Sequence, residues 1–170
     1  MTTVYLAYAT AAIKTLAKHS EDRAVDLLVS YVALKSFLRN RDKFNVRKWC
    51  IDSGAFSVWK SGAVVDFEEF NAAALDTDAD EIFALDVVRN PAASQRNYER
   101  YLERGLTQFI PCFHEGSPWS YLTWIAERFD KIALGGIARR GEKARAEFAA
   151  QCFARVWPKK IHGFAACSWG

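Results

Sequence analysis

The sequence predicts an α/β fold, specifically a (β/α)8 TIM-type barrel that lacks its last strand–helix unit. Short apolar runs, nearly continuous in hydrophobicity, recur along the 170 residues, as is typical of parallel strands buried on both faces. Segments with helical spacing separate these runs, which indicates right-handed strand–helix–strand connections. The runs number seven, and the last lies just before the end of the sequence.

The predicted strands follow one another at intervals suited to one barrel domain. In chain order they are Val4–Tyr8, Leu27–Leu34, Trp49–Ile51, Ile82–Val88, Phe109–Phe113, Ile132–Leu134 and Ile161–Ala166. Barrels of this type usually need about 200 residues or more, which a chain of 170 residues does not reach. We therefore expect a single domain over residues 1–170 that is incomplete at its carboxyl end.

Three of the intervening helices have clear boundary signals. Asn90-Pro91 is an N-cap and first-turn pair, and the helix that it opens should end at Gly105. Ser117-Pro118 begins a second helix. The third spans Glu142 to Val156, where apolar side chains recur at helical spacing.

Composition restricts the functional classes. With 51% hydrophobic and 25% charged residues, the chain is not disordered, and no apolar run is long enough to cross a membrane. No signal peptide is recognisable, and the four cysteines form no CxxC pair, so we expect a reduced cytoplasmic protein without a metal site. The net charge of +3 neither requires nor excludes a nucleic-acid partner.

Two carboxylates follow or interrupt apolar runs. Asp52, Ser53 and Gly54 come directly after the third run, where either a functional acid or a simple turn and helix cap explains them. Asp86 interrupts a run otherwise suited to full burial, where an unpaired carboxylate is costly. We interpret Asp86 as a functional acid, with a structural salt bridge as the alternative.

Histidines and glycines occur at the ends of the later runs. His114 follows the fifth run, Gly135-Gly136 and Ile137 follow the sixth, and His162-Gly163 lies in the seventh. Paired glycines let a flat ligand lie against the backbone or form a packing turn, and a lone histidine is often structural. Because the carboxyl ends of barrel strands meet at one face, we expect these residues to form one pocket for a flat polar ligand such as a nucleobase.

Three segments resemble motifs of the tRNA-guanine transglycosylase (queuine tRNA-ribosyltransferase) family. Asp52-Ser53-Gly54-Ala55-Phe56 resembles its Asp-Ser-Gly-Gly-Phe motif, and Phe83-Ala84-Leu85-Asp86 is similar to the strand that ends in its base-recognising aspartate. Leu134-Gly135-Gly136-Ile137-Ala138 is similar to its Leu-Gly-Gly-Leu-Ala segment. The order and approximate spacing of the motifs also agree.

The resemblance implies an enzyme that replaces guanine in tRNA or DNA by a 7-deazaguanine base, through a covalent glycosyl-enzyme intermediate. By position, Asp52 would be catalytic and handle protons, while Asp86 would hydrogen-bond N1 and the amino edge of guanine. The other base-binding residues that it implies are Ser53, Gly54, His114, Gly135, Gly136, Ile137, His162 and Gly163. A basic segment after the glycine pair is the candidate nucleic-acid contact, with a solvated helix face as the alternative; it contains Arg139, Arg140 and Lys143.

Departures from the family pattern qualify these expectations. Ala55 replaces the second glycine, Ser57 replaces a glutamine, and Val87-Val88 stand where many tRNA enzymes have Glu-Cys, as in compact phage and DNA-modifying members. The family's nucleophilic aspartate and zinc-binding cysteines belong to segments after Gly170. We therefore expect no zinc cofactor in this chain and little exchange activity from it alone. The alternatives are a non-catalytic nucleic-acid-binding remnant or subunit and, ranked last, an unrelated barrel enzyme; a homodimer is compatible with each.

Overall fold

The structure is a computed structural model that describes residues 3–165, except the side chains of residues 12, 19, 60 and 61. It is an α/β structure in which the strands pair in parallel in two sheets. The chain divides into two units, Met1–Leu85 and Asp86–Gly170. The predicted α/β class is confirmed, whereas closure of the strands into a barrel stays a prediction.

The first unit contains four parallel strands and the helices that follow them. In spatial order the strands are β1 (Leu6–Ala7), β2 (Val25–Ser30), β3 (Val46–Asp52) and β4 (Glu81–Phe83). The helices are α1 (Ile13–Ser20), α2 (Leu34–Asn40), α3 (Ala55–Ser61) and α4 (Phe67–Leu75). The longest pairing joins β2 to β3 and ends with Ser30 beside Asp52, so both residues lie at the carboxyl edge of this sheet.

The second unit repeats the strand–helix alternation. Its elements are α5 (Pro91–Glu103), β5 (Phe109–Ile110), β6 (Cys112–His114), α6 (Trp119–Arg128), β7 (Lys131–Gly135), α7 (Glu142–Val156) and β8 (Lys160–Gly163). Strands β6, β7 and β8 form a parallel sheet in that order. Pro111, which has no N–H to donate, separates β5 from β6, but its carbonyl still accepts from the amide of Ala133 at 2.8 Å.

Aromatic side chains pack helices against strands in each unit. In the first, Phe37 of α2 lies 4.8 Å from Trp49 of β3, measured between ring centroids. In the second, Tyr101 of α5 stacks on Phe109 at 4.3 Å. These rings are almost fully buried, which accounts for much of the high aromatic content of the sequence.

Each predicted strand overlaps a strand of the structure, and the three predicted helices are confirmed. Several apolar runs extend beyond their strands: Tyr31–Ala33 forms a 3-10 turn, for example, and β4 ends at Phe83 although the apolar run continues to Val88. An apolar run indicates that residues are buried, but it does not show whether they form a strand or a buried turn. Ala166, the last residue of the seventh run, lies outside the described residues. Among those described, no helix is long and apolar enough to cross a membrane.

Candidate functional site

An ion pair between Asp86 and His114 lies at the centre of the candidate site in the second unit. Nε2 of His114 donates to Oδ2 of Asp86 at 2.7 Å. The Asp86 side chain is 11% exposed and that of His114 is 26% exposed, so the pair is largely desolvated but still reachable. The structure thus gives Asp86 the partner that a carboxylate next to an apolar run requires.

The first turn of α5 holds the segment that carries Asp86. Ser94 is almost fully buried, and its hydroxyl accepts from the amide of Val87 at 2.8 Å, one residue after Asp86. Asn90 caps the same helix, because its Oδ1 accepts from the amide of Ala93 at 3.0 Å. The predicted N-cap therefore begins a helix and also fixes the backbone beside the acid.

Cys112 belongs to the same cluster, although it was not among the predicted site residues. Its sulfur, a ring nitrogen of His114 and a carboxylate oxygen of Asp86 all lie within 4.8 Å of one another. The hydroxyl of Tyr98 fixes the Cys112 backbone by accepting from its amide at 2.9 Å and donating to its carbonyl at 3.2 Å. The available signal was the two-residue spacing of Cys112 and His114, since alternate residues of a strand share one face.

Gly135 and Gly136 make room for this cluster. A Cβ on Gly135 would lie 3.0 Å from Sγ of Cys112 and 3.1 Å from Nδ1 of His114, which is closer than ordinary contact. Gly136 has a φ of +83°, a conformation that favours glycine. Gly135 therefore leaves room for neighbouring side chains, and Gly136 allows the backbone to turn after β7.

The register of the sheet adds His162 to this face. Cys112 of β6 pairs with Ala133 of β7, and Ala133 pairs in turn with His162 of β8. Residues in lateral register point to the same side of a sheet, so Cys112 and His162 share a face with the small Ala133 between them. Gly163 follows in the register position beside Leu134.

The charges in the cluster favour a protonated imidazole. The pKa of His114 is raised to about 11, mainly by the electrostatic interaction with Cys112 and also by hydrogen bonds to Asp86 and Cys112, while burial acts in the opposite direction. Burial raises the pKa of Tyr98 well above its usual value, which keeps that hydroxyl neutral. A raised pKa favours the protonated imidazole, in which both ring nitrogens are donors.

The predicted motif Asp52-Ser53-Gly54 forms a turn at the end of β3 in the first unit. Oδ2 of Asp52 accepts from the amide of Gly54 at 3.2 Å, and Oγ of Ser53 accepts from the amide of Ala55 at 3.4 Å. Gly54 has a φ of +74°, and a Cβ there would lie 3.0 Å from Oγ of Ser30. The local contacts match the turn alternative, while the Asp52 side chain stays partly exposed.

The basic residues after β7 lie on an exposed loop and on the start of α7. Arg139, Arg140 and Lys143 are all exposed. Arg140 donates from Nε to Oε2 of Glu115 at 2.8 Å, and Nζ of Lys143 lies 4.0 Å from Oε1 of Glu147. Ile137, in the same loop, is buried, so its side chain is part of the core and only its backbone can face a ligand.

A cleft of about 320 Å³ lies beyond β6 in the same unit. Aromatic rings of Phe113, Trp119 and Phe148 line it together with the carboxylates of Glu115 and Glu147. Its acids make it unsuited to a polyanion, so the loop after β7 is the better candidate for a phosphate contact.

The structure brings Asp86, His114, Gly135 and Gly136 together in the second unit, and Asp52, Ser53 and Gly54 together in the first. Comparison with known proteins adds no relative: no family model, no curated protein and no solved structure matches this chain.

Proposed function

We propose that this chain binds guanine or a 7-deazaguanine and contributes base recognition to the exchange of these bases in tRNA or DNA. The observation that carries the proposal is the Asp86–His114 ion pair, which lies against the Gly135-Gly136 turn. The three motifs shared with the transglycosylase family give the same assignment for Asp86 and the glycines.

The ion pair complements the edge of guanine. This edge presents two adjacent donors, N1–H and the amino group, next to the O6 acceptor. The carboxylate of Asp86 can accept from the donors, and a protonated His114 can donate to O6 once one of its N–H groups exchanges its present acceptor, Asp86 or Cys112, for the base. Adenine has no N1–H, so its ring nitrogen would place a lone pair against the carboxylate. The site should therefore favour guanine over adenine.

Asp52 is the residue that we assign to proton handling during exchange. In the reaction the bond between guanine and the sugar breaks, the departing guanine takes a proton, and the incoming base loses one as it bonds to the same carbon. A partly exposed carboxylate at the end of a strand can carry such a proton. The resemblance assigns attack on the sugar to a different aspartate, on a strand that would follow β8.

Calorimetric titration of the purified chain with guanine, 7-deazaguanine and adenine tests the proposal. We expect binding of the first two and at least about tenfold weaker binding of adenine. Asp86→Asn should reduce guanine affinity about ten- to a hundredfold, because it removes charge-assisted hydrogen bonds of about 1.5–3 kcal/mol. Asp130→Asn is the matched control, since Asp130 is fully exposed.

A change in stability does not show whether Asp86 binds the base, because Asp86→Asn also removes the counter-ion of His114 and should lower the melting temperature. The measured affinity for guanine is therefore the deciding quantity. If guanine does not bind, or if Asp86→Asn binds it as the unaltered chain does, Asp86 is a structural ion-pair partner.

Nucleic-acid binding without exchange is the second candidate, favoured by the exposed Arg139 and Lys143 beside the glycine turn. Labelled guanine supplied with tRNA or with duplex DNA separates the two functions. Retention of labelled guanine by the chain indicates base recognition, which does not require incorporation by these residues alone, while binding of the polymer without guanine binding indicates the second function.

A further inference from the structure

Three side chains of different chemistry meet on one face of the second unit. Among the described residues, Asp86, Cys112 and His114 form the cluster whose potential metal-ligand atoms all lie within 4.8 Å of one another. From this arrangement we propose that these three residues bind one zinc ion. The inference goes beyond base recognition and does not rest on it.

The distances are close to those of a zinc site. Zinc bonds to sulfur at about 2.3 Å and to nitrogen or oxygen at about 2.0–2.2 Å, so tetrahedral ligand atoms lie roughly 3.3–3.7 Å apart. The Asp86–His114 contact of 2.7 Å would open slightly, and any separation from the Cys112 sulfur that is near the 4.8 Å limit would shorten. Movements of this size need side-chain rotation but no rearrangement of the strands.

The ligand types select the metal. Magnesium and calcium prefer oxygen ligands, whereas a set of one sulfur, one imidazole nitrogen and one carboxylate suits zinc. Three protein ligands leave one tetrahedral position for water or for an atom of a bound molecule, as in catalytic zinc sites.

The surroundings keep the ligands in place. Tyr98 holds the Cys112 backbone through two hydrogen bonds, and Ser94 holds the residue after Asp86. The missing Cβ of Gly135 leaves space beside Sγ of Cys112 and Nδ1 of His114. Fixed neighbours of this kind lower the cost of arranging ligands around an ion.

Cobalt(II) provides a direct test, because thiolate coordination gives a near-ultraviolet charge-transfer band and tetrahedral geometry gives strong visible bands. We expect one cobalt per chain, both signals, and their loss when zinc is added. Cys112→Ser should abolish the charge-transfer band and weaken zinc binding at least about tenfold in competition with a chromogenic chelator. Asp86→Asn should weaken zinc binding but keep the band.

Cys152→Ser is the matched control, since Cys152 is another buried thiol of the same unit and should leave both signals unchanged. A circular-dichroism melt without metal checks that each variant folds. The proposal is overturned if the unaltered chain gives no charge-transfer band, or if Cys112→Ser binds zinc as tightly as it does. In either case the three groups form a hydrogen-bonded network without a metal.

The zinc titration uses base-free protein, and the guanine titration uses protein treated with chelator. A chain that binds zinc but not guanine therefore contradicts only the base-recognition proposal. A chain that binds guanine but not zinc contradicts only the present one.

Discussion

Gly135 is the residue on which the packing of the candidate site most directly depends. His114 lies beside it in the β6–β7 register, and the space where its Cβ would be is bordered by Cys112 and His114. Its predicted role was to let a flat ligand approach the backbone. The contacts show a second role, since the glycine allows two functional side chains to occupy one face of the sheet.

We predict that Gly135→Ala lowers the free energy of unfolding by about 1–3 kcal/mol, because the added methyl group overpacks a buried site. It should also weaken guanine binding by displacing His114. Urea unfolding and calorimetry measure the two effects. Gly141→Ala is the control, because a Cβ there meets no atom within 4 Å, and it should change stability by less than about 1 kcal/mol. Equal effects of both substitutions would contradict the proposed packing role.

Cys112 shows why the residue-level prediction was incomplete. Asp86 and His114 are polar residues at the edges of apolar runs and can be recognised singly. A cysteine inside an apolar strand looks like an ordinary buried thiol, which is the usual case. Its proximity to Asp86 depends on non-local packing, and no sequence spacing encodes that contact.

At the scale of elements, α5 positions the acid of the site. Its first turn contacts the segment after Asp86 through Ser94, while Asn90 caps the helix itself. These two side chains lie four residues apart and have separable roles: Ser94 holds the segment that carries Asp86, and Asn90 caps α5.

We predict that Ser94→Ala lowers stability by about 0.5–1.5 kcal/mol, because the amide of Val87 loses its acceptor, and reduces guanine affinity severalfold. Asn90→Ala should cost about 1 kcal/mol through loss of the cap and leave guanine affinity unchanged. Thermal melts and calorimetry on both variants test the distinction. If Asn90→Ala reduces affinity as much as Ser94→Ala does, the effect reflects stability and not positioning of Asp86.

The loop between β7 and α7 is the element that we expect to contact a phosphate backbone. Replacing Arg139 and Lys143 together by alanine should weaken binding of duplex DNA and reduce the slope of log affinity against log salt by about 1.8, or about 0.9 per contact. Fluorescence anisotropy at several salt concentrations measures this slope. The control changes two exposed cations of the first unit, Lys14 and Arg23. A slope that falls equally in both double variants would indicate diffuse attraction to a positive surface.

The helices were predictable where their boundary residues were specific. Asn90-Pro91 and Gly105 predicted α5, and Gly105 indeed adopts a φ of +68° after the helix. The start of α4 carried an equally good signal that was not used: Oδ1 of Asp66 accepts from the amide of Glu69 at 2.9 Å, as an N-cap aspartate does. Local capping chemistry is therefore readable from sequence.

At the scale of the whole chain, apolar periodicity predicted the alternation of strands and helices but not the partners of individual side chains. The strands could be found because burial on both faces leaves a continuous apolar run. Asp26 illustrates the limit. It occurs within β2, where its side chain is 1% exposed, and its partner Arg47 comes from the neighbouring strand. No pattern in the sequence indicates Arg47 as the partner, because the pairing depends on the register of β2 and β3.

The Asp26–Arg47 pair also leads to a prediction for the acid stability of the whole chain. Arg47 donates from two nitrogens to the two carboxylate oxygens, at 2.9 Å and 2.6 Å. Chiefly through this hydrogen bonding, the pKa of Asp26 is lowered from its usual 3.8. A carboxyl group whose pKa is lower in the folded state stabilises the fold above its unfolded value, and this contribution is lost as the pH falls through the folded value.

We therefore predict that Asp26→Asn lowers the free energy of unfolding at pH 7 by about 1–2 kcal/mol, a modest cost because the exposed Arg47 is screened by water. Between pH 7 and pH 2.5 the unaltered chain should lose more stability than the variant, because only the unaltered chain has this carboxylate to protonate. Urea unfolding at both pH values measures the difference, and Asp22→Asn, at an exposed position, serves as the control. Parallel losses in the unaltered chain and in Asp26→Asn would mean that other carboxylates determine the acid limit, since a pair that stabilises the fold must make the two pH profiles converge at low pH.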